Sequence, residues 1–427
     1  MALAIWFVVS AALVARAETI VDGIADDGDD DDPIAEIVVK LNPDSGATIE
    51  AINADYGTTT VSVVLNSRQI YLLRIPAGAD DAEDVANDMA ADPRLLYAEP
   101  NFRSDIPEGG GNHTWEWGGP DNAPQIDQYA VDLLQLPEVH RSVQGTGVIV
   151  AVLDTGVQLN HPALRDRLTS QRYDFIDDDA TPDDVGNSLD DDGDGFVDEA
   201  VGHGTHVAGI VALVAPAAQI MPVRVLGSDG RGDIFRLTEG ILYAAENGAS
   251  IINLSLGTAR ESELLEDVLD DIRDDHDVLV VAAAGNLHST APQYPAAEDG
   301  ALAVTALDEH NLLADFANYG DWIDVTAPGV SIYSTFPTDG YAWWSGTSMA
   351  TPFVAGQAAL LRRAAPHLRA DDIEQAIRST AQSVDAVNPG YADLLGEGRI
   401  DIRASLAAVC DDPCQLGQKL FIPLILR

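Results

Sequence analysis

The 427-residue chain sets 70 aspartates and glutamates against 23 lysines and arginines, a formal net charge of −47. A surface of that sign repels phosphate backbones and anionic lipid, which argues against nucleic acid or a membrane surface as partner, and it attracts cations such as Ca2+. With 46% hydrophobic residues and two cysteines, Cys410 and Cys414, the fold must rest on apolar burial without a disulfide framework, and cysteine chemistry is excluded from the centre of the chain.

The first 17 residues read as a secretory signal peptide: an apolar run over residues 2–15 ends in Ala15-Arg16-Ala17, a small-x-small cleavage pattern, although no Lys or Arg precedes the run. The run is short for a spanning helix. Residues 18–33 hold the stretch DDGDDDD and form an acidic spacer unable to bury itself. Residues 34–104 then alternate strand and helix patterns. IAEIVVKL, TTVSVVL, IYLLRI and LLYAEPNF read as strands, and a polar stretch near Thr48 and DDAEDVANDMAA read as helices. That order predicts a small α+β, ferredoxin-like sheet with two helices on one face. Residues 105–122 are rich in Gly, Pro and polar types and read as an exposed linker holding the processing region.

Between residues 123 and 409, short apolar runs alternate with helical stretches. VIVAVLD, IMPVRVL, IINLSL, VLVVAAAGN and ALAVTAL are β-rich and almost wholly apolar, as strands of a mostly parallel sheet buried on both faces are. RLTEGILYAAENG and TPFVAGQAALLRRAA read as helices. The class is α/β, and in such sheets the chemistry sits at the carboxyl ends of strands.

Three segments carry candidate chemistry. Asp154 closes the strand VIVAVLD, where a carboxylate can orient an imidazole. An aspartic protease would need a second Asp-Thr-Gly, and the chain has one. His203 opens the helix of GHGTHVAGI. His206 follows three residues on, but no zinc-protease Glu or third ligand accompanies the pair, so His206 reads as structural. Ser348 lies in SGTSMATPFVAG at the mouth of a helix, where it is either a nucleophile or a helix cap.

Together, an Asp at a strand end, HGTHVAG and GTSMATP, in the order Asp, His, Ser, resemble the subtilisin family of serine proteases over roughly residues 123–408. The resemblance implies a three-layer peptidase domain and a secreted endopeptidase that cuts protein or peptide substrates through an acyl-enzyme intermediate. Asp154, His203 and Ser348 would form the triad, and Asn286 of AAAGN an oxyanion donor beside the Ser348 N–H. Ser255, Leu256 and Gly257 match one wall of the substrate cleft, and Ala283, Ala284 and Gly285 the other. Gly230 to Ile234, with Gly230 and Gly232, matches the opposing edge, so substrate would add as a strand between two segments. The first domain resembles the family's inhibitory propeptide, which implies an intramolecular inhibitor and an autoprocessed zymogen.

The loop LDDDGDGFVDE offers Asp190, Asp192, Asp194, Asp198 and Glu199 as oxygen ligands for a structural Ca2+, though it lacks the twelfth-position Glu of an EF-hand. Ala163 stands where many relatives carry a calcium-binding Asp. Asp177, Asp178, Asp179, Asp183 and Asp184 read as solvent-facing, Phe353 as a packing residue, and Arg231-Gly232-Asp233 as a chance adhesion triplet. No organic cofactor is expected. The chain is expected to act as a monomer and to meet a membrane only through its signal peptide. The tail, residues 410–427, leaves open a Cys410–Cys414 disulfide and attachment to the cell surface. Two other classes compete: an inactive relative kept for binding, and an acidic adhesive protein.

Overall fold

Alternation of apolar residues builds the first domain in the computed structural model, which describes residues 35–410 apart from 65–67, 77, 79–80 and 109–114. The expected signal segment, acidic spacer and Cys414 lie outside the described residues. Strands β1 (Glu36–Leu41), β2 (Thr59–Val64), β3 (Ile70–Arg74) and β4 (Leu95–Pro100) form an antiparallel sheet in the order β2-β3-β1-β4. Helices α1 (Ile49–Tyr56) and α2 (Ala82–Ala90) supply Ile52, Ala86 and Met89 to a cluster with Ile37, Val39 and Leu41 of β1. Alternation sends Val38, Leu72 and Tyr97 the other way, into the apolar cluster of the second domain.

The chain then runs through β5 (Arg103–Asp105), β6 (Glu116–Gly119) and three short helices, α3 (Ala123–Asp127), α4 (Tyr129–Leu133) and α5 (Leu136–Val139). A seven-stranded sheet follows: β7 (Ile149–Asp154), β8 (Tyr173–Asp174), β9 (Gln219–Arg224), β11 (Ile251–Leu254), β12 (Leu279–Ala283), β13 (Ala301–Leu307) and β14 (Val325–Pro328). Every neighbouring pair is parallel, in the order β14-β13-β12-β11-β7-β9-β8. Val150 and Val152 of β7 pack on one side with α6 (His203–Val214) and α9 (Thr347–Ala364). Ala151 and Leu153 pack on the other with α7 (Ile234–Glu246) and α8 (Glu263–His276). The result is the three-layer α/β arrangement that the apolar runs predict. The strand β10 (Arg231–Asp233) precedes α7, the hairpin β15 (Ile332–Phe336) and β16 (Gly340–Trp344) leads into α9, and α10 (Ala370–Ser379) and α11 (Ile402–Val409) complete the fold.

From β7 the sheet extends through β11, β12, β13 and β14 on one side and through β9 to the edge strand β8 on the other, so the order reverses beside β7, and the carboxyl ends of β7, β11 and β12 meet there. Residues of the first domain reach toward this rim. Glu99 accepts from Ser262 Oγ, Glu263 N and Leu264 N at 2.7, 3.0 and 3.1 Å and so caps the start of α8. Asn101 Oδ1 accepts from Phe235 N at the start of α7. One expectation fails here. The start of the expected linker, residues 105–108, does not run exposed through solvent: Ile106 and Glu108 are 3% and 1% exposed, like Ser104 before them at 0%, whereas residues 115–118 are exposed as expected. Its composition reads as linker because its pairing partners lie far along the chain.

Candidate active site

Asp154 ends β7 fully buried. Its Oδ1 accepts from Thr155 N at 2.8 Å and lies 2.7 Å from His203 Nδ1. Its Oδ2 is buried with no hydrogen-bond partner among the described residues. His203 is the first residue of α6, whose N-cap, Gly202, has no side chain to offer the open N–H groups. Asp184 supplies that function from a distant loop. It accepts from Gly202 N, Thr205 N and Thr205 Oγ1 at 2.9, 3.1 and 2.6 Å, and Thr155 Oγ1 sits at 3.3 Å. Thr155 Oγ1 in turn accepts from Gly204 N at 3.0 Å. A Cβ on Gly204 would lie 3.0 Å from Asp154 Cβ, so glycine lets the helix start press against the strand end. The expectation that Asp184 faces solvent is therefore corrected: it is 2% exposed, and burial pushes its pKa to about 6 despite these donors. His206 is structural in this arrangement. Its Nε2 meets the carbonyls of Ile332 and Ala342 at 3.1 Å, and burial lowers its pKa to about 3.

Ser348 is the second residue of α9. Pro352, four residues on, cannot donate to the Ser348 carbonyl. Ser255 Oγ does so instead at 2.9 Å, itself held by Asn253 Nδ2 at 3.0 Å. Ser255 thus braces the serine from the end of β11. Asn286 follows β12, and its Oδ1 accepts from Thr347 N and Thr347 Oγ1, both at 3.0 Å, which aims Nδ2 at the centre. Asn318 clamps this loop, with Nδ2 on Ala284 O and Oδ1 accepting from Leu287 N and Ser289 N.

A strand of the chain itself occupies the cleft. Arg103, Ser104 and Asp105 of β5 pair antiparallel with Asp233, Gly232 and Arg231 of β10. On the opposite side Asp105 and Gly257 exchange two hydrogen bonds of 2.9 Å, and on the β10 side Ile106 N donates to Gly230 O at 3.1 Å. A Cβ at Gly230, whose φ is +81°, would lie 2.8 Å from the Ile106 side chain, so bare backbone makes room for the guest. Leu256, Ala283 and Ala284 are buried behind these edges. Beyond Pro107, the Glu108 carboxylate enters the centre. Ser348 Oγ donates to its Oε2 at 2.8 Å, His203 Nε2 lies 3.2 Å from the same oxygen, and Asn286 Nδ2 donates to its Oε1 at 3.1 Å. Burial opposes charge on His203, but the flanking Asp154 and Glu108 carboxylates outweigh it and raise the pKa to about 10.

Residues 145–398 match the subtilase family, and residues 35–101 match the fervidolysin N-terminal prodomain. This chain belongs to the subtilase family. It is a serine peptidase preceded by a prodomain. The subtilase is 40% identical over 284 residues to thermitase of Thermoactinomyces vulgaris, covering 64% of this chain and 94% of that protein. It is 38% identical over 287 residues to subtilisin BL of Lederbergia lenta, covering 65% and 97%. Among solved structures, a protease of Pseudoalteromonas arctica matches with TM-score 0.61 and 30% identity over 67% of this chain and 98% of that one. Fervidolysin of Fervidobacterium pennivorans, described as a keratinolytic enzyme related to subtilisin, shares the fold with TM-score 0.69 at 24% identity, over 87% of this chain and 60% of that one.

Other predicted positions of the subtilase separate into groups. Asp190, Asp192 and Asp194 bring one carboxylate oxygen each within 4.8 Å of one another. Glu199 Oε2 is buried without a hydrogen-bond partner among the described residues, and burial beside Asp229, Asp194 and Asp192 raises its pKa to about 7. Asp198 is engaged differently, accepting from Asn187 N and Ser188 N at 2.7 and 2.9 Å. Asp229, buried and absent from the sequence expectations, holds the loop by accepting from Asp191 N and Asp198 N. Asp233 of the Arg-Gly-Asp triplet is 2% exposed and caps α7 through Arg236 N, which leaves no free adhesion motif. Phe353 is fully buried, as a packing residue is. Sequence reading missed Glu108, Asp184, Asn318 and Gln293, the last beside Gly257 and Gly285. The one usable signal was the Asp184 position shortly before the Gly202-His203 helix start.

Proposed function

We propose that the protein is a secreted endopeptidase made as a self-processing zymogen, with Ser348 as nucleophile, His203 as general base and acid, and Asp154 as the group that orients and stabilises the imidazole. One observation carries this reading: Ser348 Oγ, His203 Nε2 and Asn286 Nδ2 converge on a single carboxylate that the chain's own paired strand delivers between them. In the reaction, Ser348 Oγ attacks the scissile carbonyl while His203 takes its proton, and His203 later returns a proton to the leaving amine. Asn286 Nδ2 stabilises the oxyanion of the tetrahedral intermediate. Substrate adds as a strand between the edges 230–232 and 255–257, in place of residues 103–106, which supports the prodomain tail as an intramolecular inhibitor. The reading of residues 1–17 as a signal peptide supports secretion, and no helix among the described residues is long and apolar enough to cross a membrane.

A structural Ca2+ is part of the proposal. Asp190, Asp192 and Asp194 fit a hard cation by their oxygen donors and their convergence, and Glu199, outside that converging group, offers a further carboxylate whose Oε2 has no hydrogen-bond partner among the described residues. The ion would hold the loop that precedes the His203 helix and takes no part in bond cleavage.

Expression from Glu18 beside a Ser348→Ala variant tests the function. Intact mass and N-terminal sequencing should show loss of the prodomain in the first and a full-length chain in the second. Full-length chains in both, with no reaction toward a fluorophosphonate, would leave an inactive binding protein as the better account.

A further inference from the structure

We propose that the active centre is a receptor for a side-chain carboxylate, and that Glu108 is its built-in ligand, plugging the oxyanion hole so that the uncleaved chain stays latent. The inference rests on the serine-protease reading of the same site and goes beyond strand pairing by the prodomain tail.

A buried carboxylate is costly unless each oxygen finds a donor. Glu108 is 1% exposed, and both oxygens are partnered. Oε1 takes the Asn286 amide, and Oε2 lies between the Ser348 hydroxyl and the His203 imidazole. These are the donors that a tetrahedral oxyanion and an attacking serine would use. While the carboxylate fills the hole, no peptide carbonyl can enter it. The Ser348 proton is directed at Oε2 and not toward the imidazole, which blocks its transfer to the base.

The strand register explains why the plug is not itself cut. Asp105 stands opposite Gly257, which sets Pro107 across from Ser255. Pro107 has no N–H for the Ser255 carbonyl. That carbonyl instead lies 3.3 Å from Ser348 Oγ. The chain therefore leaves the ladder at Pro107, and the next group to reach the nucleophile is a side chain. A carboxylate, with its charge spread over two oxygens, is a poor acceptor for attack. The ligand class is an extended peptide ending its paired stretch in Pro-Glu.

The test uses the precursor expressed from Glu18 and freshly refolded from denaturant, as wild type and as Glu108→Gln, Glu108→Ala and Glu108→Asp, with the fluorophosphonate reaction of each chain timed before its prodomain is lost. The alanine variant should react roughly ten-fold or more faster than wild type, because charge-assisted hydrogen bonds are lost. Glutamine should fall between them, and aspartate, one carbon too short, should behave like alanine. A second measurement does not depend on how the variants fold. The amide-capped peptide Ser-Asp-Ile-Pro-Glu should inhibit the processed wild-type protease, stay uncut by mass spectrometry, and weaken when its Glu becomes Gln. Equal labelling of all four precursors, with normal peptide hydrolysis after processing, would overturn the plug and leave the protease reading intact. Inhibition only by peptides with a free C-terminus, whichever side chain they carry, would also overturn it, since a main-chain carboxylate would then be the ligand. If no processed chain hydrolyses any peptide, the protease reading itself falls.

Discussion

Asp154, Asp184 and Glu108 surround the start of the His203 helix at 0%, 2% and 1% exposure, whereas Asp190 and Asp194 gather with Asp192 on a loop open to water. The inner carboxylates meet backbone amides, hydroxyls, an imidazole and an amide side chain. In the outer group the loop's own amides take part of each carboxylate, with Gly193 N, Asp194 N and Phe196 N donating to Asp190, Asp192 and Asp194. Three carboxylates share a small volume there, with the Arg231 guanidinium 3.2 Å from Asp192 Oδ2 as one positive neighbour. The net charge of −47 does not distinguish the two groups. Burial and donor supply do: one set is rigid framework, and the other lies on the loop for which Ca2+ is proposed, where Asp192 already pairs with Arg231.

The largest expected effect tests the inner group. Asp184→Ala leaves the Gly202 and Thr205 amides and two hydroxyls without their acceptor, at about 1–3 kcal/mol for each buried group left unsatisfied. Urea unfolding in the Ser348→Ala background, where self-digestion is absent, should show a loss of about 3 kcal/mol or more. Asp184→Asn, which keeps an acceptor oxygen, should lose less. A change below about 1 kcal/mol for the alanine variant would mean that this carboxylate is not framework.

The second test concerns charge on His203. Its pKa rises from 6.5 to about 10 in the uncleaved chain, through the Asp154 and Glu108 carboxylates acting against burial. A raised pKa stabilises the folded state fully below the unfolded value and loses that contribution as pH climbs through the folded value. The melting temperature of the Ser348→Ala precursor should therefore fall between pH 7 and pH 10, and adding Glu108→Gln should flatten that fall. Parallel curves for the two proteins would separate Glu108 from the imidazole.

The smallest effect belongs to the outer loop. EGTA should lower the melting temperature of the processed protease by several degrees, and Asp190→Asn with Asp194→Asn should abolish the sensitivity to chelator. An unchanged melting temperature would make the loop a solvated acidic surface.

Much of this is legible in the sequence itself. The run IAEIVVKL marked a strand, and the apolar runs VIVAVLD, IINLSL and VLVVAAAGN marked parallel strands whose ends hold the chemistry. Local period carries such information. What stayed hidden depends on partners far along the chain. Residues 105–108 look like linker until Arg231, Gly230 and Gly257 are beside them. Asp184 sits in a run of aspartates, and only the fold buries it under a helix whose first turn lacks a cap. Asp198 was expected among the cation ligands, but the hydrogen bonds of the Asn187-Ser188 turn take up its carboxylate.

The cleft between the edges 230–232 and 255–257 accepts a guest whose main chain is open on both sides. A helix offers neither side, since its amides are spent internally, and a strand at the border of a sheet offers one. A folded protein can present such a segment only by opening locally, so on the proposed mode of substrate binding the speed of cutting would follow how often that opening occurs. Gly230 and Gly257 meet the guest with backbone alone, so what they read is less the identity of the residues than the readiness of a neighbour's chain to come undone.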